Sequence, residues 1–75
     1  LNQPDKAVEY FKKAAATADN NSLSPVFLVK AGEVLEAQKK YDEAISIYQQ
    51  VKDEYVQSAI QQEIDKYIER ATVSK

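Results

Sequence analysis

Apolar residues recur at helical spacing in four stretches of this chain, with short polar breaks between them. The first set, Ala7, Val8, Phe11, Ala14, Ala15 and Ala18, predicts a helix over 4–18. Pro4 suits its opening turn, and Asp5 and Glu9 lie towards the positive end of the helix dipole. The second set, Val26, Phe27, Leu28, Val29, Ala31, Val34, Leu35 and Ala37, predicts a helix over 25–38 that is apolar on more than one side. Such a helix needs neighbours on both flanks and is the expected centre of the core. Ser24 is its expected N-cap, the hydroxyl accepting an orphan N–H, with Pro25 at the first helical position.

The third set, Ala44, Ile45, Ile47, Tyr48, Val51 and Tyr55, predicts a helix over 41–55, with Asp42 and Glu43 in its first turn. The fourth, Ala59, Ile60, Ile64, Tyr67, Ile68 and Ala71, predicts a helix over 59–72 opened by a capping box of Ser58 and Gln61. Its opposite side carries Gln62, Asp65, Lys66, Glu69 and Arg70 and reads as a solvated face, so the stripe should pack on the second and third helices. Between the first two helices, Asp19-Asn20-Asn21-Ser22 is a turn-forming loop; between the next two, the break at Lys39 to Tyr41 is short enough to force an antiparallel return.

Gly32 is the single glycine and sits inside the second helix, where it costs about 1 kcal/mol relative to alanine. A missing side chain there implies close approach by a bulky ring or a backbone, with Ala44 and Tyr48 as candidates, rather than a tolerated surface glycine. Leu28, Ala31-Gly32 and Leu35, followed by Ala44 and Tyr48 and by the run Tyr41-Asp42-Glu43-Ala44-Ile45, resemble the tetratricopeptide repeat, a 34-residue unit of two antiparallel helices. Leu28 stands for the usual Trp, Ala31 for the usual Leu, Leu35 for the usual Tyr, and Val56 for the closing Pro. All but the last keep the apolar packing and only the breaker is weakened.

The resemblance implies an all-α fold of antiparallel helix pairs in a right-handed superhelix. Ala7, Phe11 and Ala14 copy the spacing of Ala44, Tyr48 and Val51 at an offset of 37 residues, so 1–23 reads as the second helix of a preceding repeat plus a loop. Residues 24–57 read as one complete repeat and 58–75 as a C-terminal capping helix. In that phase the first helix has an unsupported face, with Val8 and Phe11 or Tyr10, to be covered by self-association or by residues of a longer parent. The stretch from Asp53 to Ser58 and from Ile64 to Ala71 also resembles the C-terminal end of some bacterial, membrane-anchored, periplasm-facing repeat proteins. A bacterial source and a cytoplasmic or periplasmic fragment are the corresponding expectations.

Seventy-five residues bury only about 60% of the unfolded chain's surface, so stability should be modest. Ten basic and twelve acidic residues are interspersed, which points to neither nucleic acid nor an anionic membrane. The sequence has no Cys, His or Met, which removes disulfides, thiolate zinc sites and the usual imidazole base, and marks a fragment or processed form. No nucleophile has a base, no glycine-rich loop exists, and adjacent Asp42 and Glu43 point apart on a helix, so no catalytic residue, metal site or cofactor is expected. The five tyrosines read as core rings with wet hydroxyls.

The resemblance implies a protein-interaction scaffold whose first helices line a concave surface for a peptide or protein segment. The residues it places there are Val26, Val29, Lys30, Glu33, Glu36 and Ala37. Val29 and Glu33 occupy the places where some members carry Lys and Asn to grip a terminal carboxylate, so that clamp is not expected. Mixed apolar and acidic character suits an apolar or basic segment. The rival reading is a structural end cap and self-association module of a longer solenoid.

Overall fold

The computed structural model describes residues 4–20, 22–56 and 58–75; Asn21 of the expected loop and Gln57 at the expected repeat boundary lie outside them. The described residues form four helices, α1 (Pro4–Ala18), α2 (Ser24–Ala37), α3 (Tyr41–Glu54) and α4 (Gln61–Ser74). Helix packs on helix in chain order, α1 on α2, α2 on α3 and α3 on α4, giving a slab of 30 × 28 × 14 Å. The core is a row of buried side chains from Leu28, Ala31 and Leu35 through Ala44, Tyr48 and Val51 to Ile64 and Ala71. Each large member, such as Tyr48, Val51 or Ile64, contributes about 1.5–3 kcal/mol by leaving water.

Gly32 meets the expectation placed on it. A Cβ there would lie 2.7 Å from Tyr48 Cζ and 3.0 Å from Cδ1, so the missing side chain is the space the ring occupies. Removing that space would force two backbones or a buried ring to move.

Several local expectations are corrected. Ser24 is not a capping residue: it lies inside the helix, the N-cap is Leu23 in helical conformation, and no side chain caps α2 there. The Ser24 hydroxyl is instead buried, donating to the Ala15 carbonyl at 2.7 Å and accepting from the Asn20 amide at 3.0 Å. It thereby ties the end of α1 to the start of α2. The turn amides of Ser22 and Leu23 are satisfied by Asn20 Oδ1 at 2.9 and 2.7 Å. Likewise Ser58 and Gln61 make no capping box. The Ser58 hydroxyl donates to the Tyr55 carbonyl and the Gln61 side-chain amide to the Lys52 carbonyl, both at the end of α3, and α4 begins two residues later than expected.

α4 packs on α3, and Arg70 joins it to Glu36 of α2. Val8, expected on the open face of α1, is buried in the core; Phe11 is half-buried and Tyr10 is 66% exposed. Tyr48 departs from the pattern of wet tyrosine hydroxyls, since its ring is fully buried and its hydroxyl donates to Glu36.

The break after α2 closes without glycine. Lys39 adopts a left-handed φ of 64°, its amide bonding Glu36 O while the Lys40 amide bonds Leu35 O. This is the Schellman arrangement, and it turns the chain back for α3.

Candidate binding face

α2 presents two sides to this region. Pro25, Val29, Gly32 and Glu36 recur at intervals of four, three and four and form the side turned to α3 and α4, since Gly32 meets Tyr48 and Glu36 meets Arg70. Val26, Lys30, Glu33 and Ala37 form the next row and are all exposed. Of the six residues expected on the face, these four are therefore open to solvent. Val29 is buried, 6% exposed, and Glu36 is withdrawn into an intramolecular contact, its side chain 12% exposed.

That contact organises the site. Arg70 Nη2 donates to Glu36 Oε1 at 2.7 Å and Arg70 Nε to Oε2 at 3.1 Å, a two-pronged pair joining α4 to α2. Tyr48 from α3 completes it through its hydroxyl. Arg70 also lies over the Tyr67 ring, 5.1 Å from the centroid, and Tyr67 leans on Tyr48 at 5.4 Å with a 35° tilt.

Burial raises the pKa of the Glu36 carboxyl, but the Arg70 and Tyr48 hydrogen bonds and the Arg70 charge together outweigh it and hold it below the usual carboxylate value. The Tyr48 hydroxyl is pushed up, first by burial and then by its bond to Glu36. Arg70 is raised, chiefly by its bond to Glu36. All three stay in the charge states that favour the contact, so it behaves as a fixed joint rather than as an acid–base group.

Because α4 is held beside α2, a second row continues the first. Gln62, Lys66, Glu69 and Val73 follow Val26, Lys30, Glu33 and Ala37 at an offset of 36 residues and are likewise exposed. An open cleft lined by Pro25, Val26, Ala59, Ile60 and Glu63 lies between the starts of the two helices. Farther along, Glu63, Lys66, Tyr67 and Arg70 line a shallower one. These α4 residues were missed from sequence. A signal for them exists, since Ile64, Tyr67, Ile68 and Ala71 repeat the spacing of Leu28, Ala31, Gly32 and Leu35 at the same offset of 36.

Among the described residues, no group of three or more His, Cys, Asp or Glu side chains is placed to hold a metal ion, and no helix is long and apolar enough to cross a membrane.

Searches against curated proteins and against solved structures found no match. One family model does match, described as a tetratricopeptide repeat, over residues 27–58. It covers most of α2, all of α3 and the first part of the connection to α4. The ring of Tyr48 over Gly32 and the all-helical packing in chain order agree with this likeness of residues 27–58 to a tetratricopeptide repeat.

Proposed function

We propose that the chain is a non-catalytic scaffold that receives a peptide or protein segment on the face shared by α2 and α4. The observation that carries this reading is the pair of exposed rows, Val26, Lys30, Glu33 and Ala37 beside Gln62, Lys66, Glu69 and Val73, flanking an open cleft. In the division this implies, 1–23 is the second helix of a repeat with its loop, 24–57 a complete repeat and 58–75 a cap.

The chemistry of the face defines what it would accept. Pro25, Val26, Ala59 and Ile60 offer an apolar cleft for one side chain. Lys30, Glu33, Lys66 and Glu69 alternate in sign, so the rows carry no net charge and favour a segment of mixed or neutral character over a strongly charged one. Val29 and Glu33 leave no basic pair for a terminal carboxylate.

The test is selection from a displayed peptide library, followed by measurement of the selected peptides against Val26→Glu. Val26 is 44% exposed, so the change should leave the fold intact while placing a charge in the cleft. A tenfold or greater loss of affinity with an unchanged circular dichroism spectrum is expected. Unaltered binding would put the site elsewhere.

A second reading, an end cap of a longer solenoid, is favoured by the outward side of α4. The row of α4 that corresponds, at the offset of 36, to the enclosed row Pro25, Val29, Gly32 and Glu36 of α2 is Gln61, Asp65, Ile68 and Thr72; Asp65 and Thr72 are exposed and Ile68 is its one large apolar residue, so it gives a further helix little apolar surface to pack on.

A further inference from the structure

The side of the slab opposite the α2–α4 face carries a groove of its own. Leu28 and Leu35 stand half a turn round α2 from Val26, Lys30, Glu33 and Ala37, and over them α1 and α3 lie side by side. Asp5 shares a hollow with Glu43, and Asp19 shares one with Glu54, so the two helices run in the same direction. Val8, Leu35 and Ile47 line the first hollow, Ala15, Leu28 and Tyr55 the second, and Lys12 and Gln50 line both. The five aliphatic residues among these are buried. The groove therefore offers apolar contact to single side chains, but no broad stripe on which a partner helix would pack.

Its rims are charged unevenly. Asp5 is held by Lys40, as Asp42 is by Lys75, Asp65 by Lys52 and Glu36 by Arg70. Glu43, Asp19 and Glu54 are exposed and form no ion pair among the described residues. Asp19 and Glu54 also stand at the carbonyl ends of α1 and α3, where the helix dipoles add to their negative charge. α1 has no basic residue in its last turn, and Lys52 of α3 is engaged by Asp65 at 2.8 Å. Lys12, exposed and unpaired among the described residues, sits between the hollows.

Along the groove the free charges thus run acid, base, acid. Glu43 and Glu54 lie about 16 Å apart along the axis of α3, a distance that about five or six residues of extended chain cover. We infer that the α1–α3 groove is a docking surface for an extended segment of a partner protein, with a basic side chain at each end, two aliphatic side chains between them on the same side, and an acid at its centre. The aliphatic groups enter the two hollows, the basic groups meet Glu43 and the Asp19–Glu54 end, and the central acid meets Lys12. This surface is separate from the α2–α4 face and stands whether or not that face binds.

A suitable probe is the capped peptide Arg-Ser-Val-Glu-Val-Ser-Arg, in which strand alternation puts both arginines and both valines on one side. Added to the isotopically labelled chain, it should shift the amide resonances of Ala16, Ile47 and Tyr55 and leave those of Lys30 and Lys66 in place. Asp19→Asn with Glu54→Gln should weaken it about three- to tenfold, as loss of two exposed charge pairs does. A peptide with glutamate in place of both arginines should not bind, and Val26→Glu in the chain should leave the affinity unchanged. Both substituted acids are exposed, and asparagine tolerates the left-handed φ of 44° at position 19, so the double substitution tests the groove without unfolding it.

Equal affinity after the double substitution, equal binding of the glutamate peptide, shifts confined to α2 and α4, or no shift at all would each overturn the inference. So would a concentration-dependent dimer in sedimentation that the double substitution dissolves, because the groove's occupant would then be a second copy of the chain.

Discussion

Replacing Gly32 by alanine adds one methyl group at the tightest place in the core. On an exposed helix this substitution stabilises by about 1 kcal/mol, because alanine is the better helix former. Here the new carbon would fall 2.7 Å from Tyr48 Cζ. The ring has nowhere to go: it is fully buried, its hydroxyl is bonded to Glu36, and Tyr67 leans on it. Overpacking of this kind costs about 1–3 kcal/mol and exceeds the propensity gain. The difference, a net loss of up to about 2 kcal/mol, would lower the melting temperature of so small a domain by as much as roughly 15 °C. Urea unfolding followed by circular dichroism measures it, and the same substitution in a Tyr48→Leu background supplies the control. With the ring gone, alanine should be neutral or stabilising, so the sign of the effect should reverse. A higher unfolding midpoint for Gly32→Ala in the native background, or equal effects in both, would refute the claim that the ring fixes the glycine.

Other consequences are open to measurement. Ser24→Ala should cost about 1–3 kcal/mol in urea unfolding, since it leaves the Ala15 carbonyl and Asn20 amide without their buried partner. Arg70→Met should cost about 1 kcal/mol, a figure held down by the 52% exposure of the Arg70 side chain. The same contact sets a pH dependence: because the folded Glu36 carboxyl lies below its ordinary value of 4.5, its contribution is complete above that pH and is lost as pH falls through the folded value. Acid titration of stability should therefore be shallower in Arg70→Met. Lys39→Gly relieves a side chain held at a left-handed φ of 64° and should raise the melting temperature by a few degrees, equivalent to about 0.5–1 kcal/mol. Lys52→Gln, which removes the exposed pair with Asp65, should change stability by less than about 0.5 kcal/mol by the same assay.

The helices and the Gly32 contact were legible because they rest on spacing and on one residue type that is costly in a helix without a packing reason. Tyr10 is exposed as its place on the helix suggested, but the burial of Val8 was not legible: neighbouring positions on one stripe differ by which neighbour they meet. The roles of Ser24 and Ser58 were hidden by an ambiguity of chemistry. A hydroxyl before a helix can accept a helix amide or donate to a carbonyl across the turn, and here the carbonyls of Ala15 and Tyr55 took both. Glu36 looked like a surface acid because its partner, Arg70, is distant in sequence and becomes a neighbour only once α4 lies beside α2. Val29 was assigned to the exposed row although it sits on the row that α3 and α4 enclose.

The packing of each helix on its sequence neighbours bears on how the molecule comes apart and together. Contacts between elements adjacent in the chain need little loop closure, so folding should be fast for its size and nucleate on the α2–α3 pair, each of which has a helix packed on both sides among the described residues. Amide exchange should then be graded across the slab, slowest for Leu35 and Tyr48 and fastest in α1 and α4, whose partial opening leaves the central pair closed.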